Sequence, residues 1–449
     1  MQNWAQQAVF YHIYPLGMCG APLHNFSEER VHSRLPLLQD WIPHLKKLGV
    51  NALYIGPLWE SSSHGYDTIN YHHLDRRLGQ QDDLLQFVQG CHQNNIRIVV
   101  DAVFNHVGRD FFAFRSLKAY EKDSPYLEWF ANLKLGKRNA RGDRFTYEGW
   151  KGHDDLVKLN LNNPEVKHYF FEVVRFWIQT FDIDGLRLDA ADCMDKAFLK
   201  DLKAFCKKLK PDFFLVGEVV MGDYREWKLD AITNYELYDS LHKSHNRYDY
   251  RQLAQTLDRQ FGTPGVYRDQ LLFNFADNHD VNRIASLLKK KAHLYPLYLL
   301  LFTLPGTPCV YYGSEVGLEG KRLKWSDRPL RPFLPHPRSL AEAPHQDLFR
   351  HLCEWSALRQ SHPALYRGSY QTVLAEKHLF CFYRACEHED MYIIVNLSAK
   401  AKLWPFPAAN TSESPWQDLL NPTDLITPHE TNPLTIHPNW GRILCRKKS

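Results

Sequence analysis

The chain has 449 residues, 44% hydrophobic and 24% charged, the balance of an ordinary globular protein, which excludes the disordered and fibrous classes. Its 55 basic and 51 acidic residues leave a formal charge of +4 spread along the chain, so no basic footprint for nucleic acid is visible. The aromatic share of 14% serves a large core and would also suit a cleft that stacks on flat apolar ligand faces. Nine cysteines, an odd number, form no CxxC pair, and several fall in apolar contexts, which predicts reduced thiols. The N-terminal MQNWAQQAVFYHIYP lacks the pattern of a signal peptide, and the longest apolar region, Leu294 to Tyr312, is cut by Pro296, Pro305, Gly306 and Pro308. A cytoplasmic protein with no membrane span is the expectation.

Taken in order, short apolar or β-branched runs predict strands at Val9 to Tyr14, Ala52 to Ile55, Arg97 to Val103, Gly185 to Asp189, Phe213 to Val219, Ala231 to Asn234, Leu272 to Ala276 and Cys309 to Tyr312. Helical segments separate most of them. Leu37 to Leu48 reads as a helix stopped by Gly49, and Asn163-Pro164-Glu165 supplies a cap, a proline at the first helical position and an acid in the first turn. Eight near-continuous apolar strands joined by helices predict a closed (β/α)8 barrel. Two regions break the alternation. Residues 107–158 are rich in charge and aromatics and read as a small inserted domain after the third strand. Beyond residue 362 the helical pattern gives way to strand-like runs and polar turns, which predicts a C-terminal antiparallel β-sandwich over 363–449. Residues 1–106 and 159–362 would form the barrel.

In such a barrel the reactive groups stand at the C-terminal strand ends. There the sequence places Asp101 to His106, Arg187 with Asp189, Glu218, and His279 with Asp280. Any one acid at a strand end more often caps a helix or bonds a loop. Several unpaired carboxylates collected at one end of four strands are costly to bury without a functional return, so together they define a site. Asp189 and Glu218 lie on neighbouring strands about 4.8 Å apart, close to the roughly 5 to 5.5 Å between the carboxyls of a retaining glycosidase. Asp189 is then the expected nucleophile, Arg187 its ionising partner, Glu218 the acid/base and Asp280 a third carboxylate favouring a cationic transition state. His106 and His279 are expected hydrogen-bonding partners of the same sugar.

At these residues the chain resembles the α-amylase family, glycoside hydrolase family 13. DAVFNH at 101–106, GLRLDAAD at 185–192, GEV at 217–219 and FADNHD at 275–280 are similar to that family's four short sequence regions, in order. HGYDT at 64–68, KLNLNNPEV at 158–166 and PGTPCVYYGSE at 305–315 add to the resemblance. It implies Asp189, Glu218 and Asp280 as the catalytic carboxylates, with Tyr66, His106, Arg187 and His279 binding the sugar whose bond is cut. Within the family the chain looks most like the neopullulanase and cyclomaltodextrinase group, through EGW at 148–150 and LDAITNY at 229–235, although it begins at the first barrel strand without that group's N-terminal β domain. The implied partner is an α-glucan or oligosaccharide substrate, cleaved at α-1,4 bonds through a covalent glycosyl-enzyme. No cofactor is required by that chemistry. A structural calcium, with Asn105 as its one recognisable ligand, is implied for many members. Two other readings stay open: a transglycosylase acting on the same α-glucosides, and a non-catalytic sugar-binding or scaffold relative, which would be expected to lack one of the carboxylates.

Overall fold

The computed structural model describes residues 3–26, 30–405, 415–421, 425–426 and 433–448. Eight parallel strands close into a barrel in chain order: β1 (Phe10–Ile13), β2 (Ala52–Ile55), β3 (Arg97–Ala102), β4 (Gly185–Leu188), β5 (Phe214–Gly217), β6 (Ala231–Thr233), β7 (Leu271–Phe275) and β8 (Thr307–Tyr311). Phe10 of β1 is in register with both Ala52 and Cys309, and that pairing closes the ring. Alternate side chains divide between two cores. Phe10, Ala52, Tyr54, Val99, Phe214, Val216, Phe273, Phe275 and Cys309 fill the interior, while their neighbours Tyr11, Leu53, Ile98, Val100, Leu186, Leu188 and Leu215 pack outward on the helices. This is the period of two expected of a strand covered on both faces.

The expected helix from Leu37 to Leu48 is two elements. A 3-10 helix spans Leu35–Trp41, and the α-helix α1 covers only Ile42–Leu48. Pro43 has no N–H to donate to the carbonyl four residues back, so α geometry cannot run through from Leu37. Gly49 ends α1 in the left-handed conformation, as its place in the sequence predicts. Helix α2 (Pro164–Phe181) opens where Asn163 accepts hydrogen bonds from the N–H groups of Glu165 and Val166. Its buried face is Val166, Phe170, Val173, Val174, Trp177 and Phe181, and Trp177 stacks on Trp59 with ring centroids 4.2 Å apart. After β5 the regular alternation lapses, and a 3-10 turn over Tyr224–Trp227 stands where a helix would be.

The segment between β3 and α2 folds over the barrel mouth. His106–Gly108 pairs with His153–Lys158, which pairs with Gly149–Trp150, and a helix over Phe112–Tyr120 packs Phe114 against Phe130, Phe145 and Tyr147. Helix α3 (Leu294–Thr303), just before β8, and helices α4 (Gln346–Ser361) and α5 (Pro363–Arg367), after it, border the C-terminal sheet. Its principal strands are β9 (Ser369–Ala375), β10 (Leu379–Ala385), β11 (Glu389–Asn396) and β12 (Trp440–Lys447), continued by Trp416–Asp418 and Leu425–Ile426. Strand β11 is buried along its whole length because both faces are covered. Met391, Ile393 and Val395 belong to the core shared with the barrel helices, and Tyr392 and Ile394 pack against Trp404 and Ile436 of a second, two-stranded sheet. Among the described residues no helix is long and apolar enough to cross a membrane.

Candidate active site

Arg187 points into the barrel from β4, in register with Asp101 of β3 and Val216 of β5. Its Nη1 donates to Asp101 Oδ1 at 2.9 Å and to Asp189 Oδ1 at 2.8 Å, and its Nη2 lies 2.8 Å from Glu218 Oε1. One guanidinium therefore holds carboxylates from three adjacent strands, and it is itself almost fully buried. Its planar fork of donors suits this task where a lysine ammonium would not. Asp101 is held from its other side by the hydroxyls of Tyr54 and Tyr66, at 2.9 and 2.8 Å. Close approach makes this possible: a Cβ on Gly56 would lie 2.2 Å from that of Asp101. The turn that delivers Tyr66 needs Gly65, which has a φ of +92° and sits against Pro57.

Glu218 follows β5 and is fixed by three donors. Besides Arg187, the Tyr235 hydroxyl donates to Oε1 at 3.0 Å and the Ala190 N–H to Oε2 at 3.0 Å. Asp280 faces them from the loop after β7. His279 Nε2 lies 2.9 Å from its Oδ2, and Arg331 donates to its Oδ1 at 3.1 Å while resting 4.4 Å above the Tyr14 ring. Tyr66 and His279 stack nearly parallel, 8° apart, with the Tyr66 hydroxyl 2.5 Å from His279 Nε2. His106 presents a buried Nε2 that has no hydrogen-bond partner and lies 4.0 Å from Asp189 Oδ2. All seven residues expected from the sequence, Tyr66, His106, Arg187, Asp189, Glu218, His279 and Asp280, thus meet at one barrel mouth. Tyr66, His106, Asp189, Glu218 and Asp280 line a cavity of about 1250 Å³.

Four carboxylates here face two guanidiniums. Burial pushes the Asp189 carboxyl well above the usual carboxylate range; Arg187 opposes the rise, and the charges of Glu218, Asp101 and Asp280 add to it. Burial acts on Asp280 as well, but His279, Arg331 and Arg187 outweigh it and hold that carboxyl well below the usual range. The same cleft thus drives the Asp189 carboxyl up and the Asp280 carboxyl down. The sequence reading gave Arg187 to Asp189 alone; in the fold its charge is divided among three acids, and that division weakens its hold on any one.

Burial also holds the His106 imidazole at about 3, and that of His245, on the helix after β6, at about 3. Both are neutral at pH 7. Between their folded values and the ordinary 6.5 the unfolded chain takes up protons that the folded chain does not, so stability falls as pH is lowered through that window. The loss is about 2 kcal/mol for each by pH 5, offset in part by Asp189, whose raised value acts with the opposite sign. The urea midpoint is expected to drop between pH 7 and pH 5. An unchanged midpoint would mean that the two imidazoles are protonated in the fold.

Three side chains belong to the site although the sequence reading gave them no part. Tyr54 is found by counting inward from Ala52 with the strand period, and Tyr235 ends the LDAITNY run already noted. Arg331 had no local signal. It lies 51 residues from Asp280 in a proline-rich loop, and only folding brings the two together.

The donor set around Asn105 does not fit a calcium ion. Asn105 Nδ2 bonds the ring of His106, and in the inserted segment Asp143 is paired with Arg109 at 2.9 and 3.0 Å, Asp155 with Arg141 and Asp110 with Lys118. Among the described residues no three acid, histidine or cysteine side chains converge there. A hard cation needs six or more oxygen ligands.

A parallel barrel with paired carboxylates on adjacent strands and a third across its mouth defines a glycosidase-type enzyme. The family model for the α-amylase catalytic domain matches residues 38–364, and the chain belongs to the α-amylase family of glycoside hydrolases. A cyclomaltodextrinase from a Bacillus species is 30% identical over 429 residues, covering 88% of this chain and 73% of that protein. Neopullulanase 2 from Thermoactinomyces vulgaris is 30% identical, covering 98% and 78%. A solved cyclomaltodextrinase superposes with a TM-score of 0.82 at 28% identity, over 99% of this chain and 78% of that one. The cyclic α-maltosyl-(1→6)-maltose hydrolase of Arthrobacter globiformis, in complex with that sugar, gives 0.81 at 25% identity over 99% of each chain.

Proposed function

We propose that this protein hydrolyses α-1,4-glucosidic bonds of maltooligosaccharides, cyclodextrins or starch-type glucans, with retention, through a glycosyl ester on Asp189. The observation that carries the reading is the single guanidinium of Arg187 joining Asp189 and Glu218 from adjacent strands at 2.8 Å each, which holds nucleophile and acid/base at fixed spacing. In the first step Asp189 attacks the anomeric carbon while Glu218 gives its proton to the departing oxygen. In the second, Glu218 takes a proton from water and the ester is cleaved, returning both carboxyls to their starting state. Asp280, ionised by its neighbours, favours the positive charge that develops on the ring. The unpartnered His106 Nε2 is free to bond a sugar hydroxyl. Its neutral state keeps a cation away from the oxocarbenium-like centre.

The names of the relatives, cyclomaltodextrinase and maltogenic α-amylase, support this substrate class. The nine free cysteines, together with a 29% identical intracellular maltogenic amylase of Bacillus subtilis, support a cytoplasmic setting. The test is to incubate the protein and its Asp189→Asn variant with maltoheptaose, β-cyclodextrin, pullulan and starch and to follow products by chromatography. Cleavage by the parent alone is expected; no cleavage of any of the four would overturn the reading. Added calcium is expected to leave the thermal midpoint unchanged, since Arg109 and Arg141 already neutralise Asp143 and Asp155. A rise in the midpoint with calcium would count against this.

Transfer to a second sugar is the alternative favoured by one feature. Trp325, on the loop after β8, lines the cavity yet is 86% exposed, and Trp150 lines it as well. Such an apolar face at a cleft mouth suits a sugar ring beyond the cleaved bond. Trp325→Ala is expected to raise KM for maltoheptaose about three- to tenfold, with kcat and maltotriose cleavage little changed. With added maltose, the parent should give longer products that the variant gives less of. Equal KM values in parent and variant would remove Trp325 from the binding surface.

A further inference from the structure

A second cluster of reactive side chains lies far along the chain from the cleft residues, between the last barrel helices and the C-terminal sheet. His362 stands at the junction of α4 and α5, Glu389 begins β11, and Cys445 lies on β12. His362 Nδ1 is 2.8 Å from Glu389 Oε2, and Cys445 Sγ is 3.9 Å from that nitrogen and 3.7 Å from that oxygen. Glu389 is completely buried, Cys445 nearly so, and His362 mostly. The register explains the convergence. Glu389 pairs with Lys447 and Met391 with Cys445, so these four alternate residues share the sheet face turned toward the barrel helices.

We propose that His362, Glu389 and Cys445 form a binding site for a borderline-soft divalent cation, zinc, which would clamp the C-terminal sheet to the end of the barrel. Tetrahedral zinc, with bonds of about 2.0–2.3 Å, sets neighbouring ligand atoms roughly 3.3–3.6 Å apart. The two sulfur distances are already near that spacing, and only the nitrogen and oxygen must separate, by about 0.5 Å. A thiolate, an imidazole and a carboxylate together select zinc over calcium or magnesium, which prefer oxygen alone. Coordination releases the Cys445 proton to solvent, and water completes the fourth position.

Two groups now hold Glu389 besides His362: the Ala364 N–H donates to Oε1 at 3.0 Å, and the Lys447 ammonium lies 2.5 Å from Oε2. The Ala364 bond leaves Oε2 free for a metal. Lys447 is the competitor, and its side chain is 65% exposed, so it can swing into water as the cation enters. The ammonium now supplies the positive charge that zinc would bring.

The probe is cobalt(II), which reports thiolate ligation through a charge-transfer absorption band. Titration of the full chain is expected to give a saturable band at one cobalt per chain, bleached by stoichiometric zinc and absent in Cys445→Ser. Lys447→Gln is expected to bind cobalt about fivefold more tightly, since the exposed ion pair no longer competes. Zinc is expected to raise the thermal midpoint of the parent and not that of Cys445→Ser, while maltoheptaose turnover stays the same in both. No band in the parent, a band that persists in Cys445→Ser, or unchanged affinity in Lys447→Gln would each overturn the site and leave Glu389 as the anchor of α5 alone.

Discussion

Asp189→Asn is expected to lose kcat on maltoheptaose by on the order of 10⁵- to 10⁶-fold, the scale seen when a covalent nucleophile is removed, with the fold and thermal midpoint retained. The amide keeps the shape of the carboxyl and its hydrogen-bonding oxygen toward Arg187 but cannot form the glycosyl ester. Glu218→Gln separates the two steps. With a natural sugar it should be nearly inactive because the departing oxygen needs a proton, whereas α-glucosyl fluoride, whose leaving group needs none, should still glycosylate Asp189. The intermediate then accumulates, because no general base activates water, and mass spectrometry should find one added glucosyl unit on the peptide containing Asp189. Retention of more than about a hundredth of kcat by Asp189→Asn would transfer the nucleophile to another residue.

Arg187→Met is expected to cost about 3–5 kcal/mol of stability as well as activity, because it leaves buried carboxylates without their counter-charge. Asp101, Asp189 and Glu218 all bond this one guanidinium, and water reaches it only slightly. Without Arg187 to oppose it, the raised value of the Asp189 carboxyl rises further, so the folded state binds the extra proton. Its stability should then fall as pH rises from 5 to 8, and the deficit against the parent should be smallest at low pH. Arg187→Lys restores a charge but not the fork, so it should recover part of the stability while activity stays about a hundredfold or more below the parent. Urea midpoints at several pH values, read beside kcat/KM, check both parts. A deficit independent of pH would mean that the arginine acts by packing rather than by charge.

The chain by itself determined the barrel, because period-two and near-continuous apolar patterning are local properties and eight such runs leave few other architectures. Cap chemistry was equally local: Asn163 and Gly49 act where the sequence puts them. The polar residues of the site were legible because they stand at strand ends whose order around the barrel is the order in the chain. Helix boundaries were less so; Pro43 splits the first helix through a hydrogen bond that spacing of apolar residues does not record. The short strands Lys402–Trp404, Trp416–Asp418 and Leu434–Ile436 were also unread, since two or three residues carry too little periodicity and their pairing supplies the order.

What only the tertiary structure decided is how charge is shared. Arg187 and Asp189, two residues apart, suggest a simple pair, yet Asp101 and Glu218 claim the same guanidinium from strands 86 and 31 residues away. Arg331 reaches Asp280 from a loop whose sequence carries no sign of it, and His362 and Cys445, 83 residues apart, meet at Glu389. Patterning fixes which face of an element is buried because burial is averaged over many residues. Which charges touch depends on single side chains from distant elements, and those contacts exist only once the barrel has closed and the sheet has docked.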